Sequence, residues 1–171
     1  MTGYRILANL GAGAAGNQVV VGTPLVIQTS NDNLRIDIAK SSTYVFTLNA
    51  NDAAAPTLTV TEYVPYGPTT IFLRGGMNGW GEADAFSYIG ANKYSVDINI
   101  TAGNYEFKVA SADWATVNMG AGAAGATVTE GTPLVIEASN DNLNMDFESA
   151  TYNFLLDATN KDTPALTVTK Q

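Results

Sequence analysis

One stretch of alternating apolar and polar residues occurs twice in this chain, and that repetition limits what the chain can fold into. Residues 11–38, GAGAAGNQVVVGTPLVIQTSNDNLRIDI, match residues 120–147, GAGAAGATVTEGTPLVIEASNDNLNMDF, with 120 falling on 11 throughout. After a one-residue gap, Thr43-Tyr44-Val45-Phe46-Thr47-Leu48 falls on Thr151-Tyr152-Asn153-Phe154-Leu155-Leu156. The two copies then end alike, in Pro56-Thr57-Leu58-Thr59-Val60-Thr61 and Pro164-Ala165-Leu166-Thr167-Val168-Thr169. A fixed internal period means one supersecondary unit used more than once. Residues 69–110 have no counterpart in the first copy.

The alternation has period two, and turn residues punctuate it every eight to twelve positions, so the elements are strands and no helix is expected. In the second copy the pattern predicts strands near 70–74, 86–89, 93–100, 104–110, 115–119, 126–129, 133–138, 142–147, 151–157 and 165–169. Ile71 and Leu73 share a side, as do Tyr94, Val96, Ile98 and Ile100, then Tyr105, Phe107 and Val109. Leu143, Met145 and Phe147 alternate likewise, followed by Tyr152, Phe154 and Leu156. Two sheets packed on these faces make an all-β, immunoglobulin-like antiparallel β-sandwich. The expected organisation is a partial repeat at 1–62, a half-sandwich, and a Pro- and Gly-rich semi-rigid linker at 63–68. A complete module follows at 69–171. A half-sandwich leaves strand edges uncovered, so residues 1–62 are expected to pack on the neighbouring module or to associate with another chain.

Composition removes several function classes. The 171 residues carry 16 acidic against 8 basic side chains, a net charge of −8. That charge disfavours nucleic acid and anionic membranes as partners, and no apolar run approaches the roughly 18 residues that span a bilayer. There is no Cys and no His, which removes thiolate chemistry and the usual imidazole base. Met1-Thr2-Gly3 shows no basic or apolar leader. An excised segment of an extracellular or cell-surface protein is expected.

The sequence offers little for catalysis, and no enzyme activity and no cofactor are expected. Gly11-Ala12-Gly13-Ala14-Ala15-Gly16 superficially resembles a dinucleotide fingerprint, but an all-β context supplies no helix to receive a pyrophosphate. A small-residue loop passing close to another backbone explains it better. Two carboxylate pairs, Glu82 with Asp84 and Asp141 with Asp146, meet the minimum for a glycosidase without a long cleft beside them. Asn142, Asn144 and Asp146 share one strand face, as do Asn31, Asn33 and Arg35. They lack the glycine and terminal glutamate of a calcium loop, so no metal is expected and a solvated face is. Aromatic and amide groups remain. Trp80 follows the turn pair Asn78-Gly79, Trp114 closes a later loop, and Lys108 alternates away from Phe107 and Val109, hence outward. An indole stacks on the C–H face of a sugar, while Lys and Asn bond its hydroxyls.

These residues carry a resemblance. Leu73-Arg74-Gly75-Gly76-Met77-Asn78-Gly79-Trp80, Tyr94 in a later strand, Ala102-Gly103-Asn104-Tyr105-Glu106-Phe107-Lys108-Val109 and Asp113-Trp114 together resemble the α-glucan-binding sandwich. That family includes modules preceding the barrel of pullulanases and branching enzymes, and the glycogen-binding module of the AMP-activated kinase. The resemblance covers 69–114 well and 140–170 loosely. It implies a glucose-holding set of Trp80, Lys108 and Trp114, with Asn140 or Asn142 as a late amide, and Asn78 joins the candidates. The stretch 118–139 is longer than a minimal family member has. The first copy has nothing matching Trp80 or Lys108, and Arg5 falls where Trp114 would align.

The expected function is a secreted, non-catalytic, pullulanase-associated type of carbohydrate-binding module that takes starch-like α-glucans. The alternative is a structural subunit of an extracellular fibre or surface assembly, built by strand complementation of the half-module.

Overall fold

The computed structural model describes residues 9–171. They fall into two compact units, the first ending at Tyr63 and the second running Val64–Gln171. In the first unit the strands are short: β1 Leu10–Gly11, β2 Gln18–Val19, β3 Leu25–Val26, β4 Gln28–Thr29 and β5 Arg35–Ile36, then β6 Tyr44–Asn49 and β7 Thr57–Glu62. They pair as β1-β4, as β2-β5 and as a three-stranded sheet β3-β7-β6. Arg5 lies outside the described residues.

The second unit opens with β8 Ile71–Gly75, a 3-10 turn at Gly76–Asn78, β9 Ser87–Gly90, β10 Lys93–Ile100 and β11 Gly103–Ser111. It continues with β12 Asn118–Gly120, β13 Leu134–Val135, β14 Glu137–Ala138, β15 Leu143–Phe147, β16 Ala150–Asp157 and β17 Ala165–Lys170. One five-stranded sheet has the order β13-β17-β16-β10-β9. The other runs β14-β12-β11-β15, with β8 on the opposite edge of β11. The fold is an all-β antiparallel sandwich, as the alternation predicts. No strand forms at 126–129, where Thr127 and Asn144 make an isolated bridge. At 115–117 the backbone is still turning back from β11, so β12 begins later than the pattern suggests.

The core lies between the two sheets of this unit. Ile71, Leu73, Phe107, Val109, Leu143, Met145, Phe147, Tyr152, Phe154 and Leu156 are all buried, on the faces that period two assigned to them. Each large apolar side chain sealed in this way stabilises the fold by about 1.5–3 kcal/mol. Phe147 organises the aromatic centre: it meets Tyr152 edge-on at 4.9 Å and lies 6.1 Å from Phe107. Part of the expected linker belongs to this unit. Val64 and Tyr66 pack against its core, and the Tyr66 amide donates to the Tyr94 hydroxyl at 3.2 Å. The β9–β10 turn places Ala91 and Asn92 at φ 51° and 61°, the two-residue geometry that suits the strand twist of a hairpin.

The repeated stretches close with the same backbone bonds. Gly22 donates to the Val60 carbonyl at 2.7 Å, as Gly131 does to Val168 at 2.8 Å. Ile27 donates to Pro56 and Ile136 to Pro164, each at 2.9 Å. The glycine-rich run does pass close to another backbone. A Cβ at Gly11 would strike the Asp32 carbonyl oxygen, and one at Gly120 the Asp141 carbonyl oxygen.

Candidate functional site

Two loops on the β8 and β11 side of the second unit each present an indole. The first follows β8. Asn78 builds it: its Oδ1 accepts from the Gly75 amide at 2.9 Å, and its Nδ2 donates to the Leu73 carbonyl and to Asp84 Oδ2, each at 2.7 Å. The chain then turns through Gly79 and Trp80 at φ 64° and 62°, and the Trp80 amide donates back to Gly75 at 2.8 Å. The second loop follows β11, and Asp113 closes it. Its carboxylate accepts from the Ser111 hydroxyl, from the Ala115 and Thr116 amides at 3.1 Å, and from the Thr116 hydroxyl at 2.7 Å. The Ser111 and Thr116 bonds hold the Asp113 carboxyl far below the usual carboxylate range. Within that turn Trp114 sits at φ 57°.

Left-handed backbone is unfavourable for a residue with a Cβ, by about 1–2 kcal/mol. Both tryptophans adopt it, among just four non-glycine positions with positive φ in the described residues. Strain of this kind gathers at functional sites, where the surroundings hold it in place. The outcome is a pair of half-buried indoles with ring centroids 6.2 Å apart and planes inclined by 44°.

The residue that holds the pair is Arg74. It alternates away from the core on β8 yet is only 7% exposed. Its guanidinium donates to the Trp80 carbonyl through Nε and Nη2, at 2.9 and 2.8 Å. Nη1 donates to the Ser111 and Ala112 carbonyls at 3.1 Å each. Its Cζ also lies 3.9 Å from the centroid of the Trp114 ring, within reach of cation–π attraction. One side chain thus ties both indole-bearing loops to the same sheet. Sequence reasoning missed this role. Its only signal was a long cation on an outward strand position between two loops that each end in Trp.

Lys108 corrects an expectation. It faces away from the core, opposite Arg74 in the β8–β11 register, but it is 3% exposed. The segment 139–141 folds over it, and its ammonium donates to the Ser139 carbonyl. Burial pushes its pKa below the ordinary lysine value, with Asp141 acting in the opposite direction. Gly120 leaves the room this needs, since a Cβ there would approach Lys108 Nζ to 3.1 Å. Lys108 therefore presents no ammonium to solvent and instead anchors the segment from which Asn140 and Asn142 project.

The late amides differ in setting. Asn140 is exposed and accepts from Asn118 at 3.5 Å, while half-buried Asn142 donates to Glu106 at 3.0 Å. Asn78 has both ends of its amide engaged in loop construction. Of the predicted set, the structure brings Trp80 and Trp114 together, places Lys108 opposite Arg74 in the β8–β11 register but under segment 139–141, and leaves the amides to the flanking segments. No group of three or more His, Cys, Asp or Glu able to hold a metal ion occurs among the described residues. None of their helices is long and apolar enough to cross a membrane.

No protein-family model matches the chain, and no curated protein matches it. Among solved structures it is similar to the starch-binding domain titled "Ligand induced structure of AmyP-SBD". The identity is 20% and the TM-score 0.48, over 61% of this chain and 73% of that one.

Proposed function

We propose that the second unit is a non-catalytic carbohydrate-binding module for starch-like α-glucans. The observation that carries this is the indole pair: two rings 6.2 Å apart on strained backbone, fastened by one buried guanidinium. Indole faces are apolar and match the C–H faces of pyranose rings, each stacked ring contributing on the order of 1 kcal/mol. The 44° inclination makes a bent platform, which suits a coiled α-linked chain better than a flat ribbon. Rigid loops lose little freedom on binding, so more of each contact appears as affinity. Trp80 and Trp114 stack on neighbouring glucose units, and Asn140 and Asn142 reach hydroxyls from the segment that Lys108 anchors.

Affinity electrophoresis in amylose or pullulan tests this. Trp80→Ala and Trp114→Ala should each lose retention while the chain keeps its fold, read as an unchanged far-UV spectrum. If both variants are retained like the parent chain, the glucan site is not at the indoles.

A further inference from the structure

Side chains that are sealed in one copy of the repeat stand open in the other. Phe154 and Leu156 on β16 are fully buried, whereas Phe46 and Leu48 at the same repeat positions on β6 are 61% and 53% exposed. Ile38 is 47% exposed where its counterpart Phe147 is 5%. Isolated exposed apolar residues are ordinary, but a contiguous set of them on one sheet marks an interaction surface.

The second unit shows what covers these positions. A single hairpin, β10 and β11, does it. β10 pairs with the edge of β16 over eight residues, from Lys93 opposite Asp157 to Ile100 opposite Ala150. β11 pairs with β12 and β15 in the facing sheet. Its Phe107 and Val109, with Tyr94, Ile98 and Ile100 of β10, are all buried there. Among the described residues of the first unit, β6 pairs only with β7, and no strand joins β1 to β5 as β11 joins β12 to β15. The rest of the slot is already built. β1 with β4 and β3 with β7 keep the pairings of their counterparts, and the Ser30 amide bonds Asn9 as Ser139 does Asn118.

We infer that residues 9–63 are a docking face for a β-hairpin with the pattern of Lys93–Ser111. Its first strand adds to the free edge of β6, and its second enters between β1 and β5. The pairing is strand addition, in which backbone bonds give affinity and alternate side chains give specificity. The occupant is a hairpin of that chemistry, with inward apolar residues at the spacing of Tyr94, Ile98 and Ile100 on one strand and Phe107 and Val109 on the next. A second copy of this chain is a poor donor, because its own hairpin is already held along β16. This inference does not depend on the glucan reading.

The test titrates the full chain with a synthetic peptide of residues 92–112, against a scrambled peptide of the same composition. Backbone amide exchange is followed by NMR. Saturable binding with slowed exchange at 44–49, lost in Phe46→Asp and Leu48→Asp, supports the proposal. In a second arm, residues 66–112 are fused ahead of Met1 through a Gly/Ser linker, which should slow exchange at 44–49 and raise the melting temperature of the first unit. Exchange at 44–49 unchanged in both arms overturns it. Concentration-dependent self-association of the peptide-free chain, abolished by Phe46→Asp, also overturns it by making a second copy the occupant.

Discussion

Phe46 and Phe154 stand at the same place in two nearly identical stretches of sequence, one open to water and the other at the centre of an aromatic cluster. The strands around them pair alike, β6 with β7 and β16 with β17, in matching registers. The difference comes from residues far away in sequence, the β10–β11 hairpin that covers one copy. Period two decides which side of a strand is apolar. It does not decide whether anything lies against that side.

The sharpest way to break this contrast is to truncate both phenylalanines. Phe154→Ala should destabilise the second unit by about 3–5 kcal/mol, the cost of a large cavity in a packed core. Phe46→Ala should change the first by no more than about 0.5 kcal/mol, as exposed substitutions do. Urea unfolding followed separately in each unit measures both, and equal losses would mean that the two copies are covered alike.

Arg74 lies in the stretch that has no counterpart in the first copy, so its removal should alter the second unit alone. Arg74→Met leaves the carbonyls of Trp80 and Ala112 without their buried donor, while Ser111 keeps its bond from the Trp114 amide, and a cost of about 1–3 kcal/mol is expected from stranded polar groups. Near-UV circular dichroism should lose the signal of the coupled indoles, and amylose retention should fall with it. Retention without the near-UV signal would separate the platform from the site.

Gly11 and Gly120 refine the contrast further. Alanine at either meets a carbonyl oxygen, but at Gly120 it also crowds the Lys108 ammonium. Both should destabilise by about 1–3 kcal/mol through overpacking, with Gly120→Ala the worse of the two by chemical denaturation.

The smallest effect is on pH. Asp113 has its pKa lowered in the folded chain by its Ser111 and Thr116 bonds. A depressed carboxylate contributes stability that is complete above the usual value of about 4 and is lost as pH falls through the folded one. Tryptophan fluorescence should therefore stay level from neutral pH to about 4 and change only in stronger acid. Asp113→Ala should show the altered emission already at neutral pH.

Much of the second unit was legible because alternating strands and a hydrophobic core are the same information. Lys93–Ile100 and Ala150–Asp157 were placed to within a residue, and their inward residues follow. The site was legible only in part. Trp80 and Trp114 could be named from turn residues and resemblance, but their adjacency depends on two loops meeting above a sheet. Lys108 shows why outward is not the same as exposed: its face was right, and segment 139–141 lies over it. Arg74 stayed hidden for the same reason, since its hydrogen bonds run to main-chain carbonyls, which no side-chain pattern announces.

The guanidinium of Arg74 makes the two indole loops a single mechanical part. Neither can swing without straining the Arg74 bonds that hold the other, so a displacement at Trp80 is carried to Trp114 and the two rings move as one.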